Sequence, residues 1–144
     1  MGRWKRRGDI ALCIATMLVM LVFVGCSKSK KEEETWNGVL TATIENWNEF
    51  GGDDAEPQEL EGLKKGDVIY DGMGYKLTVK KITEDEIVLK STGGIIETEK
   101  GGGINLNKIA PSKLVIENGE EKYFATQSMD AGVSFTFHYE VRTE

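Results

Sequence analysis

From residue 133 onward, apolar and polar positions alternate. In VSFTFHYEVR, Val133, Phe135, Phe137, Tyr139 and Val141 share one face, and Ser134, Thr136, His138, Glu140 and Arg142 share the other. This is the period-two pattern of a half-buried strand. YKLTVKKI repeats it with Tyr75, Leu77 and Val79, and a phase break before Ile82 predicts a β-bulge. TEDE then turns the chain into IVLKST, so residues 75–92 are predicted to form a hairpin. Further strands are predicted at Val39–Trp47, Asp67–Tyr70, Ile104–Ile109, Lys113–Glu117 and Glu121–Thr126. The turn signals KKGD, DGMG, TGG, KGGG, ENGEE and DAG separate nearly all of them. Roughly eight short strands without an amphipathic helix predict an all-β fold, an antiparallel sandwich or small barrel. The stretch 45–62, ENWNEFGGDDAEPQELEG, shows no period and reads as a loop, with one helical turn at Pro57–Leu60.

The N-terminal residues follow another pattern. Arg3, Lys5, Arg6 and Arg7 precede an uncharged run of 16 residues, IALCIATMLVMLVFVG at 10–25. A positive start and an apolar run before a small residue describe an export signal. The run is shorter than the ~20 residues a spanning helix normally needs. It ends in Phe23-Val24-Gly25-Cys26, which resembles the lipobox of bacterial lipoproteins, with Phe23 standing where leucine is usual. The resemblance covers about the first 26 residues. It implies that the Cys26 thiol takes a diacylglycerol, that residues 1–25 are removed, and that Cys26 becomes the N-terminus. Acyl chains contribute ~0.8 kcal/mol per buried CH₂, so two or three hold a protein at a bilayer where one does not. The competing reading is a retained N-terminal anchor. Either places the rest of the chain at the cell membrane, facing outside the cytoplasm.

After Cys26, the stretch SKSKKEEET at 27–35 is too polar to bury apolar surface and is expected to be a flexible charged tether. Residues 36–144 then give 109 residues, enough for one domain with one core. The full chain carries a net charge of −6; removing residues 1–25 takes away four basic groups and one acid. That leaves 14 Lys or Arg against 23 Asp or Glu, a net −9. Such a balance argues against nucleic acid as a partner. It also argues against the domain lying flat on anionic lipid.

Cysteine usage narrows the chemistry further. Cys13 lies in the apolar run and Cys26 in the lipobox, so residues 27–144 contain no thiol. A disulfide framework, a thiolate metal site and a cysteine nucleophile are thereby excluded from that region. The acidic run Glu45, Glu49, Asp53, Asp54, Glu56, Glu59, Glu61 contains no basic residue. Calcium takes six to eight oxygen ligands of this type, which makes Asp53, Asp54 and Glu56 the candidate metal ligands. The D-x-[DN]-x-[DN]-G spacing is absent, however, and a solvated acidic loop is the simpler expectation. His138 is the single histidine. Four residues along a strand span ~13 Å, so Ser134 and His138 cannot form a nucleophile–base pair. The Gly-rich stretches lack the ending of a phosphate loop and read as turns.

Trp36, Trp47 and Phe50 are the remaining aromatic candidates; Trp47 and Phe50 flank Asn48-Glu49 at the edge of the acidic loop, outside the clean alternation. Aromatics beside carboxylates stack on sugar rings or anchor protein partners, and they also close the ends of cores. These three form the candidate binding surface. The expected protein is thus a lipid-anchored, non-catalytic binding module without a cofactor, for an envelope protein or glycan. The alternative is a cell-wall glycan hydrolase using a carboxylate pair separated by ~5 to 9 Å.

Overall fold

A computed structural model describes residues 37–143. The signal-like segment, Cys26, the charged stretch and Trp36 lie outside them. The described chain is all-β, with ten strands: β1 (Gly38–Asn48), β2 (Gly51–Gly52), β3 (Gln58–Leu60), β4 (Val68–Gly72), β5 (Tyr75–Ile82), β6 (Glu86–Thr92), β7 (Ile95–Thr98), β8 (Lys113–Glu117), β9 (Glu121–Thr126) and β10 (Ala131–Val141). They form two antiparallel sheets. Sheet A runs β2-β1-β10-β9-β7, with β3 also paired to β1, and sheet B runs β4-β5-β6-β8.

The alternation of β10 is realised as expected: Val133, Phe135, Phe137 and Tyr139 are buried. Leu40 and Ala42 of β1, Phe124 of β9 and Ile95 of β7 join them from sheet A. Leu77 and Val79 of β5, Ile87 and Leu89 of β6, and Leu114 and Ile116 of β8 meet them from sheet B. One core therefore lies between the inner faces, in the manner of a sandwich. The Tyr70 ring of sheet B sets its edge on Phe135 of sheet A at 5.1 Å between centroids, a favoured aromatic geometry. The buried Tyr139 hydroxyl donates to the Thr83 carbonyl at 2.6 Å, tying β10 to the β5–β6 turn. Burial raises the pKa of that phenol, because the neutral form tolerates the apolar surroundings better.

The hairpin at 75–92 forms, and its register shifts between Val79 and Lys81, where the phase break predicts a bulge. Two expectations fail, and the strand β7 was not expected. Residues 104–109 form no strand. The Asn105 Oδ1 accepts from the Asn107 amide at 3.0 Å, and the Lys108 amide donates to the Asn105 carbonyl. This local turn competes successfully with sheet pairing. Pro57–Leu60 forms no helical turn, since Gln58–Leu60 pairs with Leu40–Ala42 of β1. The unexpected β7 lacks alternation, because Ile95 and Ile96 are both buried, Ile95 within the core cluster and Ile96 outside it.

Candidate functional site

The outward positions of sheet A form rows fixed by strand register. Glu45 of β1 stands opposite Ser134 of β10, which stands opposite Ala125 of β9, which stands opposite Ile96 of β7. The next row contains Thr136, Tyr123 and Thr98. Small residues in the middle, Ala125, Ser134 and Thr136, leave the surface low there. Larger groups stand at its margins.

Trp47 makes one margin. It is paired with Gly132, and a Cβ added to that glycine would lie 2.9 Å from Trp47 Cε2 and closer still to Thr126 Oγ1. The ring thus lies across a position that admits no side chain. The buried Thr126 hydroxyl accepts from the Val133 amide at 3.0 Å and holds this end of the β9–β10 hairpin. The loop after β7 makes the other margin. Gly101 adopts a φ of 66°, in the region that favours glycine, and the Gly102 amide donates to the Glu99 carbonyl at 2.8 Å. Gln127 fastens the same loop by donating from Nε2 to the carbonyls of Asn105 and Lys108. Lys108 in turn donates to the Glu97 carbonyl at 3.1 Å, occupying a backbone acceptor on the edge strand β7.

Between these margins lies an open groove of about 410 Å³. Trp47 and Tyr123 supply aromatic surface to it, Thr98, Ser134 and Thr136 supply hydroxyls, and Glu45, Glu99 and Lys100 supply charge. The Lys100 Nζ sits 6.0 Å from the Tyr123 ring centroid, at the outer limit of a cation–π contact. The Tyr123 hydroxyl donates to the Glu121 carboxylate. That contact, with the carboxylate's charge, raises the phenol's pKa. The groove thus joins aromatic faces with a few convergent polar groups, the general make-up of a small-ligand surface.

Of the aromatic residues expected to form a binding surface, Trp47 lines the groove. Phe50 does not: it is 90% exposed at the β1–β2 turn, where its amide donates to Asn48 Oδ1 at 2.8 Å. Trp36 lies outside the described residues. Asp53, Asp54 and Glu56 stand exposed on the connection from β2 to β3. Among the described residues, no three His, Cys, Asp or Glu side chains converge as metal ligands. The acidic run does acquire a cation. Arg142, beyond the end of β10, meets Glu59 at 3.0 Å and Glu61 at 2.8 Å, and these carboxylates hold its pKa above the usual value. His138 is half-buried, with Nδ1 at 3.1 Å from the Glu120 carbonyl.

Sequence pattern alone did not mark Thr98, Lys100 or Tyr123 as site residues. The available signal was the phase of EKYFAT, which turns Tyr123 away from the core whenever Phe124 points into it. No protein-family model matches the chain, and no curated protein or solved structure matches it either.

Proposed function

We propose that the protein is a bacterial envelope lipoprotein, anchored through acylated Cys26, whose β domain is a non-catalytic binding module. Its recognition surface is the sheet A groove, and its ligand is a glycan segment presented in the envelope. The groove itself carries this reading: Trp47 and Tyr123 lie beside Thr98, Ser134, Thr136 and Glu45 in one concave surface. Hydroxyl and carboxylate groups match the hydroxyls of a sugar, while aromatic faces match its C–H surface. The lipobox-like segment supports an address at the membrane, and the polar stretch 27–35 supports a tether between the lipid and the domain.

The character of the acids supports binding over hydrolysis. Glu45 and Glu99 line the groove, and both are exposed. A glycosidase acid depends on an enclosed setting, and both of these carboxylates stand in the open.

The test is calorimetric titration of the chain with soluble cell-wall glycan fragments, comparing Trp47→Ala with Phe50→Ala. Removing an aromatic anchor should weaken binding by at least ~10-fold, and Phe50→Ala should leave it unchanged. Equal binding by Trp47→Ala, or turnover of the glycan during titration, contradicts the proposal.

A further inference from the structure

The outer face of sheet B differs in kind from that of sheet A. Lys90 of β6 stands directly opposite Lys113 of β8, and Lys80 projects from β5 on the same face. Lys65 precedes β4, whose lead-in is held to β5 by the Gly66 amide donating to the Val79 carbonyl at 2.8 Å. One lysine thus comes from each strand, or its lead-in, in a row crossing all four strands over ~14 Å. All four are exposed. Among the described residues none of the four makes an ion pair, whereas Lys76 and Lys81 pair with Asp71 and Glu86. The nearby Asp67 carboxylate is engaged by the Lys64 amide at 2.8 Å.

Like charges set directly opposite on neighbouring strands destabilise a sheet. Contact with Lys113, slight desolvation, and then the charges of Lys113, Lys90 and Lys65 hold Lys80 below the usual lysine pKa. A fold under no other demand would intersperse acids here, and this chain has acids in excess. The acids of this face stand off the row: Glu86 lies opposite Glu117 beyond a pair of valines, and Asp71 lies beside Lys76. Residues 63–92 and 112–117, which build sheet B, contain seven Lys against six Asp or Glu. The remaining described residues, sheet A and its loops, contain four Lys or Arg against thirteen Asp or Glu. The net −9 that argues against anionic lipid is therefore carried by sheet A and the connecting loops. Two positions along the same strands, Val88 stands opposite Val115; Val88 is buried and Val115 is 41% exposed.

We infer that the outer face of sheet B docks on a bilayer surface rich in anionic phospholipid, through Lys65, Lys80, Lys90 and Lys113. Three observations select this occupant. First, the charge is complementary, and the opposite face is acidic and would be repelled. Second, the stretch 27–36 reaches at most about 40 Å when fully extended, so an anchor at Cys26 holds the domain within contact distance of headgroups. Third, docking through sheet B turns the sheet A groove away from the bilayer, toward whatever the envelope presents. The inference rests on the anchored reading above for its geometry, and not on the identity of the groove's ligand.

The test uses full chain purified from its producing membranes and reconstituted in two kinds of vesicle, phosphatidylcholine alone or mixed equally with phosphatidylglycerol. Intact mass reports on Cys26, and an unmodified N-terminus overturns the lipoprotein reading alone, since the apolar run still holds the chain at the vesicle. Acylation of individual lysines by a water-soluble amine reagent reports on the face. Lys65, Lys80, Lys90 and Lys113 are expected to react ~5-fold more slowly on the anionic vesicles. High salt should abolish the difference, and Lys100 and Lys108 should not change. Equal rates on both vesicles, or equal protection of Lys100 and Lys108, overturn the inference. So does protection by soluble polyphosphate without protection by anionic vesicles, which assigns the row to a soluble polyanion. A Lys80→Gln/Lys90→Gln/Lys113→Gln variant, which keeps the sheet and relieves its repulsion, should make the remaining Lys65 react alike on both vesicles.

Discussion

Two faces of one sandwich, built by the same alternation, have diverged completely. On sheet A the outward residues are small at the centre and large at the rim, with aromatic, hydroxyl and charged groups around a groove. On sheet B the outward residues include a row of lysines beside two valines. The inner faces cannot diverge in this way, because they must fill one shared core. The contrast teaches that a half-buried strand leaves every second position free for chemistry. It also shows that net charge is a poor guide to what a face will meet.

Substitutions can break or sharpen this contrast. The largest effect should come from Phe137→Ala, which empties the core beneath both faces. It is expected to cost ~3–5 kcal/mol in chemical denaturation, and to weaken glycan capture and lysine protection together. Loss of only one would show that the faces are not coupled through the core. Gly132→Ala acts on sheet A alone. A methyl group forced against Trp47 and Thr126 should cost ~1–3 kcal/mol and displace the Trp47 ring, with the lysine row unaffected. Unchanged stability together with unchanged glycan affinity would contradict the packing described here. Tyr139→Phe removes the bond to the Thr83 carbonyl and should cost ~1 kcal/mol without altering either face. The smallest effect, and the one of opposite sign, is expected from Lys113→Gln. By relieving the charge opposed to Lys90 it should raise Tm slightly at low salt, and the gain should vanish at high salt. A fall in Tm would mean that the row is not under repulsion.

Much of the fold was legible because alternation is a local signal. The strands β5, β8 and β10 alternate in burial, while β1, β4, β6 and β9 were placed by composition and by the turn signals between them. The bulge at Val79–Lys81 was legible for the same reason, since a bulge breaks the phase of its own strand. What failed was non-local or competed with the period. Ile95 and Ile96 are both buried, so β7 offers no alternation to read. INLNKI has the composition of a strand, yet the Asn105 side chain satisfies backbone donors that a strand would have paired. The brief β3 exists through its pairing with β1 and is flanked by carboxylates that meet Arg142, more than eighty residues away in sequence.

The site was less legible than the fold. Trp47 stood out as an aromatic beside an acidic run, but its neighbours in space come from β7, β9 and β10. They are brought to it by register, which no one of those segments reveals. The lysine row was hidden for a different reason. Lys65, Lys80, Lys90 and Lys113 are scattered through an acidic sequence, and only the pairing of β5, β6 and β8 gathers them.

Ligand capture by the sheet A groove can be followed residue by residue. The most direct measurement is a heteronuclear NMR titration of the isotopically labelled chain with soluble cell-wall glycan fragments. The account predicts shift changes confined to Trp47, Thr98, Lys100, Tyr123, Ser134, Thr136 and their immediate neighbours. Shifts centred on Phe50 or on sheet B, with the groove silent, would contradict it.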